Sequence, residues 1–240
     1  MDIVLYDEPL KLEMIDSNLF VNGNQHPKST RTVSQIVKTL RDQKISMIGN
    51  MDVYYMYRAV YKKSDIRFDV TMIPAGNIGE EYPKTHGHYH PKDKEGIAYP
   101  ELYQVLEGKA VFILQRRNRS GSVDVIHVNA EKGDVIVFPP DYGHISVNRG
   151  EKPLILANLV YDKFESLYDE YAENHGAAYY FLAGGAIEQN TNYIIQKTET
   201  LTPKQLNERY GCSCNDLLKE FCKDPEKFKF LETPSLMNKK

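Results

Sequence analysis

Three of the seven histidines in this 240-residue chain fall within one short segment, KTHGHYHP. They are His86, His88 and His90. Alternate side chains share one face of an extended strand, so both imidazoles of a His-x-His pair can reach the same metal ion. On a helix the same convergence needs residues that lie about four positions apart. Gly87 favours a bend in the segment, so His88 and His90 are the predicted pair of ligands.

Two further residues complete a candidate metal site. Glu101 begins the run ELYQVLEG, and His144 follows the Pro-rich turn FPPDYG. Three imidazoles and one carboxylate suit iron, manganese, nickel or zinc, and they leave coordination positions open for a substrate. A single histidine is more often an ordinary core or surface residue, and His26 and His127 are interpreted in that way. The combined spacing of the other residues favours a metal site.

The composition of the chain limits the class of protein that holds this site. Lys and Arg number 30 against 33 Asp and Glu, so the formal net charge is -3 and lacks the basic excess of nucleic-acid-binding proteins. No apolar run approaches the roughly 18 residues of a membrane span. The opening MDIVLYDEP carries acids where a signal peptide would be basic. We expect a cytoplasmic enzyme or small-molecule binder that contacts neither nucleic acid nor membrane.

The three cysteines all lie near the carboxyl end, at positions 212, 214 and 222. An odd number leaves one cysteine unpaired in any disulfide scheme, and a closed zinc site would need an adjacent fourth Cys or His. We interpret Cys212, Cys214 and Cys222 as reduced structural thiols rather than as a zinc or redox cluster.

The apolar pattern predicts different structures at the start and in the middle of the chain. Residues 1–49 are predicted to form an N-terminal arm with one helix, because apolar residues recur there at the spacing i, i+3, i+4, i+7, with Ser29 or Thr30 as the cap. These residues are Val33, Ile36, Val37 and Leu40. Residues 50–185 contain short β-branched and aromatic runs such as IRFDVTMI and KAVFILQ, separated by Gly, Pro and Asn. Such closely spaced strands indicate an all-β sandwich or jelly-roll barrel.

The last region, residues 186–240, is predicted to be a mostly helical extension. Thr202 followed by Pro203 is a helix-start signal. Leu217, Leu218, Phe221 and Cys222 form a stripe at helical spacing. A stripe of this kind could bind a partner, but we interpret it as packing against its own domain.

Several motifs around the candidate ligands resemble one protein family. The stretches TMIPAGNIGEEYPKTHGHYHP, PELYQVLEGKAVFILQ and KGDVIVFPPDYGHISVNRGEKP, with the following LVY, are similar to the cupin-type phosphoglucose isomerases described from archaea. The order HxH, Glu, Gly-Asp, Pro-rich turn and His is similar to the cupin metal motif. The stretch IGxEYxKTxGHYH is more specific, because cupins in general lack it. The resemblance covers about residues 50–180. It implies a jelly-roll barrel, usually a homodimer, that interconverts glucose 6-phosphate and fructose 6-phosphate.

The resemblance also implies roles for particular residues. The metal ligands of the family match His88, His90, Glu101 and His144, which would hold one divalent ion per chain, with iron(II) as the first expectation and manganese, nickel or zinc as alternatives. Glu101 and Tyr161 are the expected catalytic residues, and whether Glu101 acts as base or only as ligand is open.

The substrate contacts that the resemblance implies lie on both sides of the metal motif. Thr71, Thr85 and Gly87 match positions that contact the phosphate, and Tyr54 matches a further substrate contact. Lys84 is an additional candidate for the anion site. In DKFESLYDEYAENHGAAYY, which replaces the family's own stretch, Tyr168 and His175 are the expected substitutes.

Two other functions remain open on the sequence alone. One is a cupin oxidoreductase or decarboxylase that uses O₂ at the same ligand set, which would not need the threonines or the KTxGHYH stretch. The other is a non-catalytic sugar-phosphate-binding protein that retains the barrel.

Overall fold

The computed structural model describes residues 2–47 and 49–237 of the chain. The strands of these residues, in chain order, are β1 (Asp2–Tyr6), β2 (Leu12–Ile15), β3 (Asn18–Val21), β4 (Asn24–Gln25), β5 (Ser29–Thr32), β6 (Asp52–Lys63), β7 (Ile66–Ile73), β8 (Glu101–Glu107), β9 (Lys109–Arg117), β10 (Val123–Glu131), β11 (Val135–Phe138), β12 (Gly143–Asn148), β13 (Leu154–Tyr161), β14 (Tyr179–Phe181), β15 (Ile187–Gln189) and β16 (Ile195–Leu201). The helices are α1 (Val33–Ile36), α2 (Asp169–Glu173), α3 (Pro203–Arg209) and α4 (Leu217–Lys223), with 3₁₀ turns at Val37–Thr39, Gln43–Met47, Pro225–Leu231 and Pro234–Leu236.

Two sheets form the barrel. One has six strands in the order β11-β8-β13-β7-β6-β5, and the other has four in the order β12-β9-β10-β16. Neighbouring strands are antiparallel, apart from β10 and β16, which run parallel. This arrangement confirms the expected all-β core of the jelly-roll type.

Strand β9 of the four-stranded barrel sheet is buried on both faces over most of its length. On β9, Phe112 and Leu114 belong to the main core, whereas Val111 and Ile113 point to a second cluster on the outside of the barrel. Residues 171–193 cover that outer face and contribute Tyr171 to the second cluster. Because both faces are covered, the sequence of β9 is a continuous apolar run and does not alternate between apolar and polar residues.

The predicted early helix is present, but its cap lies elsewhere. Helix α1 occupies only Val33–Ile36 and continues as a 3₁₀ turn, and its N-cap is Thr32 in a capping box with Gln35. The predicted caps Ser29 and Thr30 lie instead on β5, which pairs with β6. Strand pairing uses the backbone of these residues, so the helix begins only after the strand ends.

Residues 2–25 form a four-stranded sheet, β1-β2-β3-β4, which the sequence analysis did not predict. Leu12, Met14 and Leu19 of this sheet are fully buried in the same core as the barrel residues. The Tyr6 hydroxyl donates a 2.9 Å hydrogen bond to Gln104 Oε1 on β8. The sheet therefore covers the outside of the six-stranded sheet.

The C-terminal region contains the predicted helices, preceded by strands. Thr202 caps α3 by accepting a hydrogen bond from Gln205 N at 3.2 Å, and Pro203 is the first helical residue. In α4, Leu217 and Phe221 are fully buried in the main core, which agrees with packing against the chain's own domain. Residues 195–201 belong to β16 of the barrel, so helical structure begins only at Pro203.

The segment before β8 is attached to β12 by backbone pairing, and this attachment brings two predicted ligands together. His144 N donates to His88 O at 3.0 Å, and Thr85 N donates to Ser146 O at 2.9 Å. A Cβ at Gly87 would lie 2.3 Å from Tyr171 Cδ1 and 2.8 Å from Ile145 Cγ2. The missing side chain therefore lets α2 pack directly on this segment.

Because the space behind Gly87 is filled, Gly87→Ala should overpack the second core cluster. We expect the free energy of unfolding in urea to fall by about 1–3 kcal/mol. Gly150→Ala is the matched control, since its Cβ would approach no atom closer than 3.3 Å. A Gly87→Ala protein that unfolds at the wild-type urea concentration would show that α2 is not packed in this way.

Candidate metal centre and its cavity

The four predicted ligands converge in the structure. His88 and His90 lie on the segment before β8, Glu101 is the first residue of β8, and His144 is near the start of β12. One ligand atom from each residue can be chosen so that all lie within 4.8 Å of one another. His90, Glu101 and His144 are buried. The predicted grouping of the four residues is confirmed.

Backbone carbonyls orient two of the imidazoles. His88 Nδ1 lies 3.0 Å from the His86 carbonyl oxygen, and His90 Nδ1 lies 2.8 Å from that of Tyr99. A neutral imidazole that donates from Nδ1 keeps the lone pair on Nε2 for a metal ion. These two contacts therefore select the tautomer that a metal ligand needs.

Glu101 presents only one of its two oxygens to the centre. Asn158 Nδ2 donates to Oε1 at 2.7 Å, whereas Oε2 lies 3.3 Å from His144 Nε2 and 3.5 Å from His90 Nε2. Among the described residues, Glu101 Oε2 and His144 Nε2 are buried and make no hydrogen bond. A buried polar atom without a hydrogen-bond partner or metal ion lowers the free energy of unfolding by about 1–3 kcal/mol. The residues present fit a divalent ion.

Burial keeps the imidazoles neutral. It lowers the pKa of His90 to about 4 and that of His144 to about 3, and it holds the pKa of His88 well below its ordinary value. Burial also raises the pKa of Glu101 to about 7, against the lowering effect of His90. The imidazoles are therefore neutral at neutral pH, and each has one ring nitrogen without a proton.

A cavity of about 540 Å³ opens beside the ligands, a volume suited to a small molecule. Its wall is the inner face of the six-stranded sheet, from which alternate residues of four strands project. These residues are Tyr54, Met56 and Arg58 of β6, Arg67, Asp69 and Thr71 of β7, Glu101 and Tyr103 of β8, and Asn158 and Val160 of β13. The remaining wall comprises Arg31, Thr85, His86, His88, His90, Phe164, Glu165, Ser166 and Tyr168.

Four of the predicted substrate residues line this cavity: Tyr54, Thr71, Thr85 and Tyr168. The Tyr54 hydroxyl accepts a hydrogen bond from His86 N at 3.2 Å. The Thr85 hydroxyl accepts from Ser146 N at 2.9 Å. Each hydroxyl therefore keeps its own proton available to donate to a ligand.

Other predicted residues do not reach the cavity. Tyr161 follows Asn158 and Val160 on β13, so strand alternation turns it to the opposite face, where its ring lies 4.9 Å from that of Tyr99. His175 lies in a separate surface pocket, with Nδ1 2.7 Å from Gln43 Nε2.

Two candidates for the anion site make structural contacts outside the cavity wall. Lys84 is buried in an ion pair with Glu81. Gly87 does not line the cavity, and the place of its absent side chain faces Tyr171 and Ile145. The absence of a Cβ at position 87 thus allows this packing, and the predicted contact of the Gly87 backbone with a phosphate stays a prediction.

The sequence analysis missed Arg31 and Asn158. Arg31 lies on β5, in a region interpreted as an arm, and only the pairing of β5 with β6 brings it to the cavity. Asn158 interrupts the otherwise apolar run LILANLVY, and a polar residue inside a buried strand was a signal that could have found it.

The cysteines lie away from this centre. Cys212, Cys214 and Cys222 are free, and burial raises the pKa of Cys212 to about 11 and that of Cys214 to about 12. Within residues 2–47 and 49–237, no group of metal-ligating side chains includes them. In the same residues, no helix is both long and apolar enough to cross a membrane.

The pKa directions predict how metal affinity depends on pH. Below about pH 7 the ion must displace one proton from Glu101, whereas the imidazoles gain their second proton only at far lower pH. We expect the Mn²⁺ affinity, measured by calorimetry, to rise about tenfold per pH unit from roughly pH 5 to pH 7 and then to level off. In Glu101→Gln this rise should disappear. A much steeper rise that ends near pH 6.5 would mean that the histidines titrate normally.

Comparison with known proteins gives the family. The family model described as "Glucose-6-phosphate isomerase (GPI)" matches residues 29–196, more than two thirds of the chain. A glucose-6-phosphate isomerase of Thermococcus litoralis is 29% identical over 161 residues, which cover 64% of this chain and 79% of the relative. One of Pyrococcus furiosus is 28% identical over 157 residues, with 63% and 78% covered.

Solved structures give a weaker likeness. The oxalate decarboxylase of Lactobacillus farciminis is 20% identical with a TM-score of 0.36 and covers 50% of this chain and 31% of its own. The family match rests instead on the sequence from β5 to β16, which includes the barrel strands and all four converging ligands. This chain belongs to the glucose-6-phosphate isomerase family.

Proposed function

We propose that this chain interconverts glucose 6-phosphate and fructose 6-phosphate with the help of one divalent ion, iron(II) in the first place, held by His88, His90, Glu101 and His144. The observation that carries the proposal is the position of His88, His90 and Glu101 of this group in the wall of a cavity whose volume fits a sugar phosphate. Family membership adds the reaction that the curated relatives are named for.

The reaction moves a proton between C1 and C2 of the open-chain sugar, while the adjacent oxygens exchange a proton. When bound, the ion would supply a Lewis acid for the carbonyl oxygen of the substrate. Glu101 is the candidate base, because its raised pKa near 7 lets it both accept and return a proton at neutral pH. Asn158 occupies Oε1, so Oε2 is the oxygen that would handle the proton.

One oxygen thus serves two possible roles of Glu101. If Oε2 coordinates the ion, it is a weaker base, and if it takes a proton, it leaves the ion. Because Asn158 donates to Oε1, both roles fall to Oε2, which would take them in turn. We propose that Glu101 acts as ligand and as base.

The substrate contacts proposed for this cavity are hydroxyl groups. Thr71 and Thr85 would donate to the phosphate, and Tyr54 and Tyr168 would contact the phosphate or the sugar. Thr85 is suited to this role, because its oxygen already accepts from Ser146 N and its proton is left to donate.

The decisive experiment is a coupled assay of the purified protein with fructose 6-phosphate. We expect turnover after loading with iron(II), loss of turnover on chelation, and recovery when the ion is returned. His88→Ala should retain the fold by circular dichroism but lose most of the bound metal and of the activity. Full turnover by the chelated, metal-free protein would contradict the proposal, and binding of the sugar phosphate without turnover would favour a sugar-phosphate-binding protein.

Glu101→Gln tests the double role of this residue. The amide keeps the size and one acceptor oxygen but cannot take a proton at neutral pH. We expect lower metal affinity together with a turnover that falls roughly 10²–10⁴-fold and is not restored by excess metal. The measurement is turnover across a metal titration, with bound ion counted in parallel. Restoration of the wild-type rate at full occupancy would mean that Glu101 is a ligand only.

A further inference from the structure

Arg31 is a cationic residue of the cavity wall to which neither the motifs nor the metal group gives a role. It lies on β5 directly opposite Tyr54 of β6 in the strand register. It is half-buried and lines the cavity, and its Nε is buried without a hydrogen-bond partner among the described residues. A donor in this position is ready for an acceptor that enters the cavity.

The other two arginines of the cavity already have carboxylate partners. Arg67 Nε lies 2.8 Å from Asp69 Oδ2, and its Nη1 lies 2.5 Å from Asp162 Oδ1. Arg58 lies 3.7 Å from the same Asp69. Within the described part of the chain, Arg31 has no carboxylate partner within ion-pair distance. Its charge is therefore available to an anionic ligand.

The cavity that Arg31 lines also presents groups that suit a phosphate. Tyr54, Thr71 and Thr85 line the same cavity with hydroxyl groups. Tyr168 has its ring centroid 5.9 Å from the Arg31 guanidinium carbon and 5.3 Å from the ring centroid of His88. One tyrosine ring thus lies between the Arg31 guanidinium and His88. A single small molecule can therefore contact both Arg31 and the candidate metal ligands.

We infer that Arg31 is the specificity-determining residue that binds the phosphate group of the substrate, an inference that rests on the proposed sugar-phosphate isomerase function. A phosphate monoester carries nearly two negative charges at neutral pH. The planar guanidinium can donate two parallel hydrogen bonds to it. With the phosphate held at Arg31, the reacting end of the sugar extends past Tyr168 towards the metal group. Arg31 thereby selects phosphorylated over neutral sugars and orients the carbon chain.

The test uses the metal-loaded full chain and two non-isomerisable probes, glucitol 6-phosphate and glucitol, with binding measured by calorimetry. Arg31→Gln should weaken binding of glucitol 6-phosphate about 10- to 100-fold, as expected for loss of a hydrogen-bonded charge. Binding of glucitol should stay as it is in the wild type. The KM for fructose 6-phosphate should rise by a similar factor with little change in kcat. Arg31→Lys should give an intermediate loss, because it keeps the charge but not the paired donors.

Arg119→Gln is the matched control for removal of one positive charge, because Arg119 is exposed and lies away from the cavity. It should bind both probes as the wild type does. Metal content and thermal melting of each variant report whether the fold is retained.

Two outcomes would overturn the inference and leave the proposed function intact. The first is turnover by Arg31→Gln with an unchanged KM and unchanged binding of glucitol 6-phosphate. The second is equal weakening for both probes in Arg31→Gln and Arg31→Lys, which would make Arg31 structural. Failure of the proposed function looks different, since the wild type itself would then show no turnover of fructose 6-phosphate.

Discussion

The burial of His90, Glu101 and His144 beside the half-buried His88 is the constraint on which the rest of the structure depends. Three neutral imidazoles and a carboxylate approach one another within 4.8 Å, away from water. Such a group is costly without an ion, because buried polar atoms need partners. The surrounding contacts therefore hold each donor in place: two carbonyl oxygens fix His88 and His90, and Asn158 fixes Glu101.

The barrel keeps this group rigid because both of its sheets are covered from outside. The N-terminal sheet and the C-terminal helices contribute to the same core as the six-stranded sheet. Residues 171–193 cover the four-stranded barrel sheet, with Tyr171 packed directly on Gly87. A close-packed interior transmits small displacements, so the segment that carries His88 and His90 has little freedom to move.

The cavity divides its charges between two regions. On one side Asp69 lies between Arg58 and Arg67 and pairs with both. On another side Arg31 shares the wall with hydroxyl groups and, among the described residues, has no carboxylate within ion-pair distance. In a partly buried site of low dielectric constant, the unpaired charge of Arg31 attracts an anionic ligand more strongly than the paired arginines do. The same asymmetry would give the proposed sugar phosphate one preferred orientation.

The sequence alone determined the parts that depend on local spacing. His88, His90, Glu101 and His144 could be identified as a candidate ligand group because metal coordination restricts residue type and spacing, and Thr202–Pro203 marked a helix start for the same local reason. Tyr161, His175 and Gly87 were assigned to the substrate from the resemblance; the structure does not place them in the cavity wall, and their roles stay predictions. Arg31 and Asn158 became visible only in three dimensions, because their place in the cavity depends on pairing between strands far apart in the chain, which no local pattern encodes.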